Sequence, residues 1–111
     1  MKHIVISAST GEILADGILG QQVSQVEGNY YFERDCVALD TLVVKKKAYH
    51  CPIKKSDCDY YYVPDKNGKV QGREVAWIYE IIGNSLFAQI TGKVGMYKRS
   101  SKDIVVQELT E

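Results

Sequence analysis

Short stretches in which apolar and polar positions alternate recur along the chain and are separated by turn residues. They include His3–Ser7, Val23–Val26 and Tyr60–Val63, and they are rich in valine, isoleucine and tyrosine. Alternation with a period of two, bounded by glycine, asparagine and serine, is typical of antiparallel strands rather than helices. The pattern therefore predicts a mainly β fold.

The turn chemistry predicts two hairpins. The first joins Tyr60–Val63 to Val75–Tyr79 through a segment that contains Asn67-Gly68, a dipeptide that supplies the positive φ of a tight turn. The second joins Lys93–Lys98 to Ile104–Glu108. The C-terminal part of the chain is therefore expected to form a local strand pair.

Two segments have the features of short helices. In Arg34–Leu42 apolar residues recur every three positions, and Asn84–Ile90 begins with a residue that caps helices well. The 111 residues suit one hydrophobic core, and no repeat or linker divides the sequence. We therefore expect residues 1–111 to form a small single-domain antiparallel sheet structure with one or two short helices.

Charge restricts the possible partners. The chain has 14 basic and 14 acidic residues and a formal net charge of zero, so no overall field favours nucleic acid or a membrane surface. Basic residues nevertheless concentrate in two groups, which are Lys45, Lys46, Lys47, Lys54 and Lys55, and then Lys93, Lys98, Arg99 and Lys102. A module that binds polyanions through these lysine clusters is one alternative function, although nucleic acid itself is not expected.

The sequence has no recognisable signal for export or membrane insertion. Its first residues contain only a short apolar run, and no stretch reaches the roughly 20 apolar residues that span a bilayer. Three cysteines without an export signal favour reduced thiols over disulfides. We therefore expect a cytoplasmic protein that does not associate with membranes.

The segment 49–62 is the most unusual stretch, because it combines His50, Cys51 and Cys58 with lysines and tyrosines. Together with Cys36, these residues offer the ligand types of structural zinc. Their spacing argues against such a site, since His50 and Cys51 are adjacent and no paired Cys-x2-4-Cys arrangement is present. We expect neither a metal nor a cofactor.

Cys51 is also the candidate for a catalytic nucleophile. That role requires a thiol pKa lowered by a nearby cation or base. His50 is adjacent and points to the opposite face of an extended chain, whereas Lys54, after the bend at Pro52, is better placed to turn back over the sulfur. A thiol-dependent or transferase enzyme that uses Cys51 is one interpretation, and a loop cysteine packed beneath a proline turn is the other.

Three fragments resemble the domain-of-unknown-function 427 family. They are Glu27-Gly28-Asn29-Tyr30-Tyr31-Phe32, Cys51-Pro52-Ile53-Lys54 and Ala76-Trp77-Ile78-Tyr79, beside the family patterns E-G-N-x-Y-F-P, C-P-W-K-G-x-A-x-Y-Y and A-W-Y-Y-P. The chain resembles a divergent member, since Ile53 stands where tryptophan is usual and Lys55 replaces a glycine. The resemblance implies a small β-dominated domain, often compared to the β-tent architecture, with no established activity.

The resemblance also implies a common site. The positions that match the family fragments are Glu27, Asn29, Tyr31, Cys51, Lys54, Trp77 and Tyr79. Trp77 and Tyr79 lie two residues apart on a predicted strand, so we expect them to form an aromatic wall on one face. Glu27, Asn29 and Lys54 would add polar groups to it. An aromatic wall with a few polar groups is typical of small-ligand sites.

We therefore predict a module that binds a small molecule or a peptide in a cleft between the Cys51–Lys54 loop and the strand of Trp77. The competing interpretation is structural. In it, Trp77 and Tyr79 belong to the core, and Glu27 pairs with Lys54 only to hold the loop. Whether the protein is an enzyme, and its oligomeric state, are left open by the sequence.

Overall fold

The structure, a computed structural model, describes residues 1–110, apart from the side chain of Gln71. The strands are β1 (Lys2–Ala8), β2 (Ile13–Ile18), β3 (Val23–Val26), β4 (Asn29–Phe32), β5 (Val43–Cys51), β6 (Ser56–Pro64), β7 (Val70–Tyr79), β8 (Val94–Tyr97) and β9 (Ile104–Thr110). Short 3₁₀ helices lie at Arg34–Cys36, Leu39–Thr41 and Ser85–Ile90. No helix within the described residues is long and apolar enough to cross a bilayer.

The strands form two antiparallel sheets. The first sheet has the order β2-β1-β9, and the second has the order β3-β4-β8-β7-β6-β5. Each strand pairing within these sheets is antiparallel. The mainly β antiparallel fold with short helices, predicted from the alternation of apolar and polar residues, is confirmed.

The hairpin predicted around Asn67-Gly68 is present between β6 and β7. Its turn depends on Asp65, whose carboxylate accepts hydrogen bonds from the backbone N–H groups of Asn67 and Lys69 at 2.8 and 2.9 Å. Gly68 has a positive φ of 78°, whereas Asn67 does not have a positive φ. An aspartate side chain and one glycine therefore build this turn, in place of the expected Asn-Gly pair.

The predicted C-terminal hairpin is wrong. β8 lies in the interior of the second sheet, where it pairs with β4 and β7, so neither of its edges is free for β9. β9 instead pairs with β1, from Lys2 opposite Thr110 to Ala8 opposite Ile104. Neighbouring strands in sequence pair often but not always, and here the chain changes sheets between them.

The helix predicted over Arg34–Leu42 is also wrong as a continuous element, since two separate 3₁₀ turns replace it. Val37 lies between them in an extended conformation, with φ −122° and ψ 134°, and pairs with Ala15 of β2. Packing of Val37 against the core therefore outweighs the helical periodicity. The last 3₁₀ helix begins as predicted, because the Asn84 side chain accepts a hydrogen bond from the Leu86 N–H.

The main core lies between the two sheets. Its most deeply buried large side chains come from both sheets and are Ile4, Ile6, Tyr30, Phe32, Ile78, Met96 and Ile104. Full burial of one large apolar side chain contributes about 1.5–3 kcal/mol. This layer is therefore the dominant source of stability.

A smaller cluster covers the other face of the second sheet, which we call the outer face. The cluster contains Tyr31, Cys51, Cys58, Trp77, Tyr79 and Ile90. Strand alternation separates the two layers, since Tyr31 points away from Tyr30 and Trp77 points away from Ile78. The last 3₁₀ helix packs on the outer face through Ile90. The predicted site residues lie in or beside this second layer.

Candidate ligand-binding site

A row of residues crosses four strands on the outer face. In this row Tyr31, Gly95, Trp77 and Tyr60 lie opposite one another on β4, β8, β7 and β6. Gly95 has no side chain, and a Cβ at this position would overlap the Trp77 indole. The indole therefore extends across β8, and its Nε1 donates a hydrogen bond to the Tyr31 hydroxyl at 3.1 Å.

Tyr97 places another aromatic ring beside Trp77. The two ring centroids are 4.8 Å apart at an interplanar angle of 66°, which is an edge-to-face contact. Tyr97, Tyr60 and Gly95 were all missed by the sequence analysis. The sequence does carry a signal for two of them, because a glycine inside a strand often marks a close approach, and Tyr97 follows Gly95 by two residues and so shares its face.

Lys54 enters the cluster from the loop between β5 and β6. Its ammonium nitrogen lies 2.6 Å from Glu27 Oε1, and it lies 5.3 and 4.6 Å from the ring centroids of Tyr79 and Phe87. Such cation–π contacts stabilise a desolvated ammonium. Burial alone lowers the pKa of Lys54, but the hydrogen bond and charge of Glu27 more than offset this effect, so the pKa is raised above 10.5. Lys54 is thus a fixed positive charge at neutral pH.

Several hydrogen bonds hold the Lys54 loop in place, including backbone bonds from Gly83 and Asn84 to the Lys55 and Lys54 carbonyls. The Lys54 N–H donates to Cys51 Sγ at 3.4 Å, and the Asn84 side-chain amide donates to the Ile53 carbonyl at 2.9 Å. Lys55, which stands at the glycine position of the resemblance, has a φ of 54°, in the left-handed region. This conformation costs a non-glycine residue about 1–2 kcal/mol. The loop therefore contains local strain beside the site.

Glu27 belongs to the two-residue turn between β3 and β4. Glu27 and Gly28 both have positive φ, 53° and 78°, between the paired residues Val26 and Asn29. Positive φ at both central positions is the geometry of a type I′ turn, in which asparagine and glycine are favoured. A glutamate is strained there, and strained residues cluster at functional sites. This turn places the Glu27 carboxylate against Lys54.

The aromatic side chains, Lys54 and Glu27 surround a cleft of about 200 Å³. Its lining residues are Glu27, Asn29, Tyr31, Lys54, Tyr60, Trp77, Tyr79 and Tyr97. The structure thus brings the sequence-predicted site residues together on one cleft, with the exception of Cys51. Trp77 and Tyr79 are largely buried and also line the cleft, so they belong to the outer-face cluster and to the cleft wall at once.

Cys51 lies beneath the cleft rather than on its wall. It is 7% exposed and packs in the same cluster as Cys58 and Tyr79. Burial raises the pKa of the Cys58 thiol to about 12, so that sulfur stays protonated. Cys36, Cys51 and Cys58 are free thiols. Among the described residues, no group of three or more metal-ligating side chains comes together.

The tyrosines of the cleft are neutral hydrogen-bonding groups. Burial raises the pKa of Tyr31, Tyr60 and Tyr79 above the usual value. Burial, together with the Glu74 carboxylate, raises the pKa of Tyr97 to about 12. At neutral pH the cleft therefore offers phenol hydroxyls, one ammonium and one carboxylate among its lining residues. An aromatic wall with a few polar groups is the composition typical of small-molecule sites.

The lysine triplet 45–47 lies outside the cleft. At a bulge in β5, the Lys47 N–H donates to Asp59 Oδ1 at 2.9 Å, and Lys46 Nζ lies 3.2 Å from Asp59 Oδ2. Bulges and lysines on an edge strand protect it from pairing with other sheets. At the edge of the second sheet, Lys46 is therefore paired through its ammonium, whereas Lys47 is held through its backbone.

One protein family matches nearly the whole chain. The match covers residues 2–108, and the family is described as a domain of unknown function, DUF427. A search of curated proteins found no match to the chain. The matched range includes every residue that lines the cleft. The resemblance found in the three sequence fragments is thereby confirmed, and the chain belongs to the DUF427 family of domains of unknown function.

Proposed function

We propose that the protein binds a small molecule bearing a carboxylate or a phosphate in the cleft between the Lys54 loop and the strand of Trp77. The observation that carries this proposal is the position of Lys54, whose ammonium is buried at an aromatic cleft and paired with Glu27. A buried ammonium needs a partner of opposite charge. Glu27 is that partner in the structure, and an anionic ligand can replace it from the cleft side.

The Glu27 carboxylate can be displaced from Lys54 by such a ligand. Its side chain is 46% exposed, whereas that of Lys54 is 8% exposed. The glutamate can therefore rotate into water while the lysine stays in place. Exchange of Glu27 for a ligand anion keeps the charge of Lys54 compensated throughout.

The walls of the cleft suit the remainder of the ligand. Trp77, Tyr79 and Tyr97 present ring surface together with hydrogen-bonding groups, a combination typical of small-molecule sites. The volume of about 200 Å³ lies below the roughly 300–1,000 Å³ of drug-sized pockets. The group held here is therefore small, and a peptide would enter only through one side chain or its terminal carboxylate.

Two other functions receive less support from the geometry. A thiol-dependent enzyme that uses Cys51 needs access to a sulfur that lies beneath the Lys54 loop. A polyanion-binding module needs several free cations, whereas Lys46, Lys54 and Lys93 of the two basic groups are paired with Asp59, Glu27 and Glu33. The first alternative predicts fast, selective labelling of Cys51, and the second predicts a steep dependence of binding on salt.

We also propose that the protein is cytoplasmic. Its free thiols, Cys36, Cys51 and Cys58, are compatible with a reducing compartment. Disulfides would be expected instead in many small exported domains. Fractionation of cells that express the protein at its natural level would test this part of the proposal directly.

Trp77 is the single tryptophan of the chain, so its fluorescence reports on the cleft. We expect a saturable change on titration with at least one of acetate, benzoate and phosphate at fixed ionic strength. Lys54→Met removes the charge and keeps a long side chain. It should weaken binding by about tenfold or more, because a hydrogen bond to a charged group contributes about 1.5–3 kcal/mol.

Lys66→Met is the matched control, because Lys66 is an exposed lysine in the turn between β6 and β7 and does not line the cleft. Its anion affinity should equal that of the wild type. Urea unfolding of both variants checks that each remains folded. Equal losses in the two variants, or no Trp77 response to any of the anions, would contradict the proposal.

A further inference from the structure

A second cavity, of about 290 Å³, adjoins the cleft. Asn29 and Tyr97 line both cavities, and these two residues lie opposite each other on β4 and β8. The second cavity extends to the segment 98–104, where the chain passes from the second sheet to the first. The two cavities therefore meet at Asn29 and Tyr97.

Tyr97 is the shared wall of the two cavities. Its ring contacts Trp77, and the Arg73 guanidinium carbon lies 5.3 Å from its centroid. Arg73 Nη2 donates to the Tyr97 hydroxyl at 3.0 Å and to Glu74 Oε1 at 2.9 Å. The Tyr97 hydroxyl donates to the same Glu74 oxygen at 2.6 Å. The ring and the guanidinium are therefore held in position without a ligand.

The second cavity has an excess of positive charge. Its charged lining residues are Arg73, Lys98, Arg99, Glu74 and Asp103. Glu74 is already engaged by Arg73. The Asp103 carboxylate packs against Gly72, and its Oδ2 is buried there without a hydrogen-bond partner among the described residues. Within residues 1–110, no carboxylate lies within ion-pairing distance of Arg99. Arg99 is thus a cation available to a ligand.

Two serines add hydrogen-bond donors to this cavity. Ser100 Oγ accepts from the Val106 N–H at 2.8 Å, and Ser101 Oγ accepts from the Asp103 N–H at 3.2 Å. These bonds use acceptor positions of the hydroxyls and leave each O–H free to donate. Hydroxyl donors beside a guanidinium suit a carboxylate or phosphate group.

We propose that the ligand of the cleft is an elongated molecule with an anionic group at each end. One group pairs with Lys54. The other meets Arg99 and the serine hydroxyls in the second cavity, while the middle of the molecule crosses the Tyr97 ring. This inference rests on the proposed function, because it extends the same site. The ligand class is therefore a dicarboxylate, or a carboxylate that also carries a phosphate.

Matched pairs of monocarboxylate and dicarboxylate test the inference through Trp77 fluorescence. Octanoate and octanedioate have the same chain length and differ at one end, as do decanoate and decanedioate. At fixed ionic strength, we expect the wild type to bind the dicarboxylate of at least one pair about tenfold more tightly, because it gains a second charge-assisted contact. Arg99→Met should remove most of this advantage.

Lys102→Met is the control, because Lys102 is an exposed lysine of the same segment that does not line the cavity. It should keep the preference for the dicarboxylate. Equal affinity within every pair, or an unchanged preference in Arg99→Met, would overturn the inference. The proposed function survives that result if monocarboxylate binding still depends on Lys54. A Trp77 signal that responds to no carboxylate would overturn both.

Discussion

The Trp77 indole occupies the space in which a side chain at Gly95 would lie. The two residues are directly opposite each other on β7 and β8, and the absence of a Cβ allows Nε1 to reach the Tyr31 hydroxyl on β4. The aromatic wall of the cleft thus depends on a residue that does not itself line the cleft. A substitution at Gly95 should therefore alter the cleft by displacing the Trp77 indole.

Gly95→Ala should displace Trp77 and weaken anion binding. Overpacking of a filled position costs about 1–3 kcal/mol, and we expect the free energy of unfolding in urea to fall by about that amount. The emission maximum of Trp77 should shift as the indole moves. Met96→Leu is the control, because Met96 faces the main core, and it should leave the emission unchanged. If Gly95→Ala keeps the emission maximum and the anion affinity of the wild type, the cleft does not depend on Gly95.

Loss of the Glu27 charge should tighten anion binding, because Glu27 competes with the ligand for Lys54. Glu27→Asn removes the carboxylate and suits the type I′ turn, whereas Glu27→Gln removes the carboxylate and retains the strain. We expect both variants to bind benzoate several-fold more tightly than the wild type in Trp77 titrations. A gain in the asparagine variant alone would assign the effect to the turn, and no gain in either would show that Glu27 does not compete.

Lys55→Gly should stabilise the protein. Lys55 has a positive φ of 54°, which costs about 1–2 kcal/mol for a side chain, while glycine loses roughly 0.5–1 kcal/mol through the entropy of the unfolded chain. We expect the free energy of unfolding to rise by about 0.5–1 kcal/mol in urea. Lys45→Gly, an exposed position in β5 without positive φ, should instead destabilise. A loss of stability in both variants would show that the loop is not strained.

The ion pair between Glu27 and Lys54 should persist into the alkaline range. Burial lowers the pKa of Lys54, but the interaction with Glu27 raises it further, to above 10.5. A raised folded-state pKa means that the stabilisation by Lys54 is complete below pH 10.5 and is lost as the pH rises through the folded value. The difference in unfolding free energy between wild type and Lys54→Met should therefore be constant from about pH 7 to about pH 10. It should become smaller at higher pH. A decline that begins near neutral pH would argue against this pairing.

Native-state alkylation should follow the exposure of the three thiols. Cys36 is partly exposed, Cys51 is 7% exposed and Cys58 is fully buried. We expect iodoacetamide at neutral pH to modify Cys36 first and Cys58 last, as measured by mass spectrometry of the peptides. Unfolded protein is the control, in which the order should disappear. Rapid labelling selective for Cys51 would favour the thiol-dependent enzyme instead.

Local sequence rules were sufficient for the mainly β architecture, whereas the predicted site residues came from the resemblance to the three family fragments. Strand alternation placed Trp77 and Tyr79 on the same face of one predicted strand. These features could be predicted because each depends on residues close together in the sequence.

Other features depend on pairings that the local pattern does not specify. Nothing within Ile104–Thr110 identifies β1 as its partner, because the choice depends on which strand edges are still free after the second sheet has formed. The role of Gly95 depends in the same way on the position of β8 between β4 and β7. The left-handed conformation of Lys55 could not be predicted, because lysine has no preference for positive φ.

The separation of Tyr30 and Tyr31 into two layers also constrains how this domain can evolve. A one-residue insertion or deletion within β4 would exchange their faces, so the core would lose Tyr30 and the cleft would lose Tyr31 together. A point substitution at Tyr31 leaves the Tyr30 layer in place. We therefore expect ligand preference in relatives of this protein to diverge by side-chain replacement, while the lengths of the strands beneath the cleft stay constant.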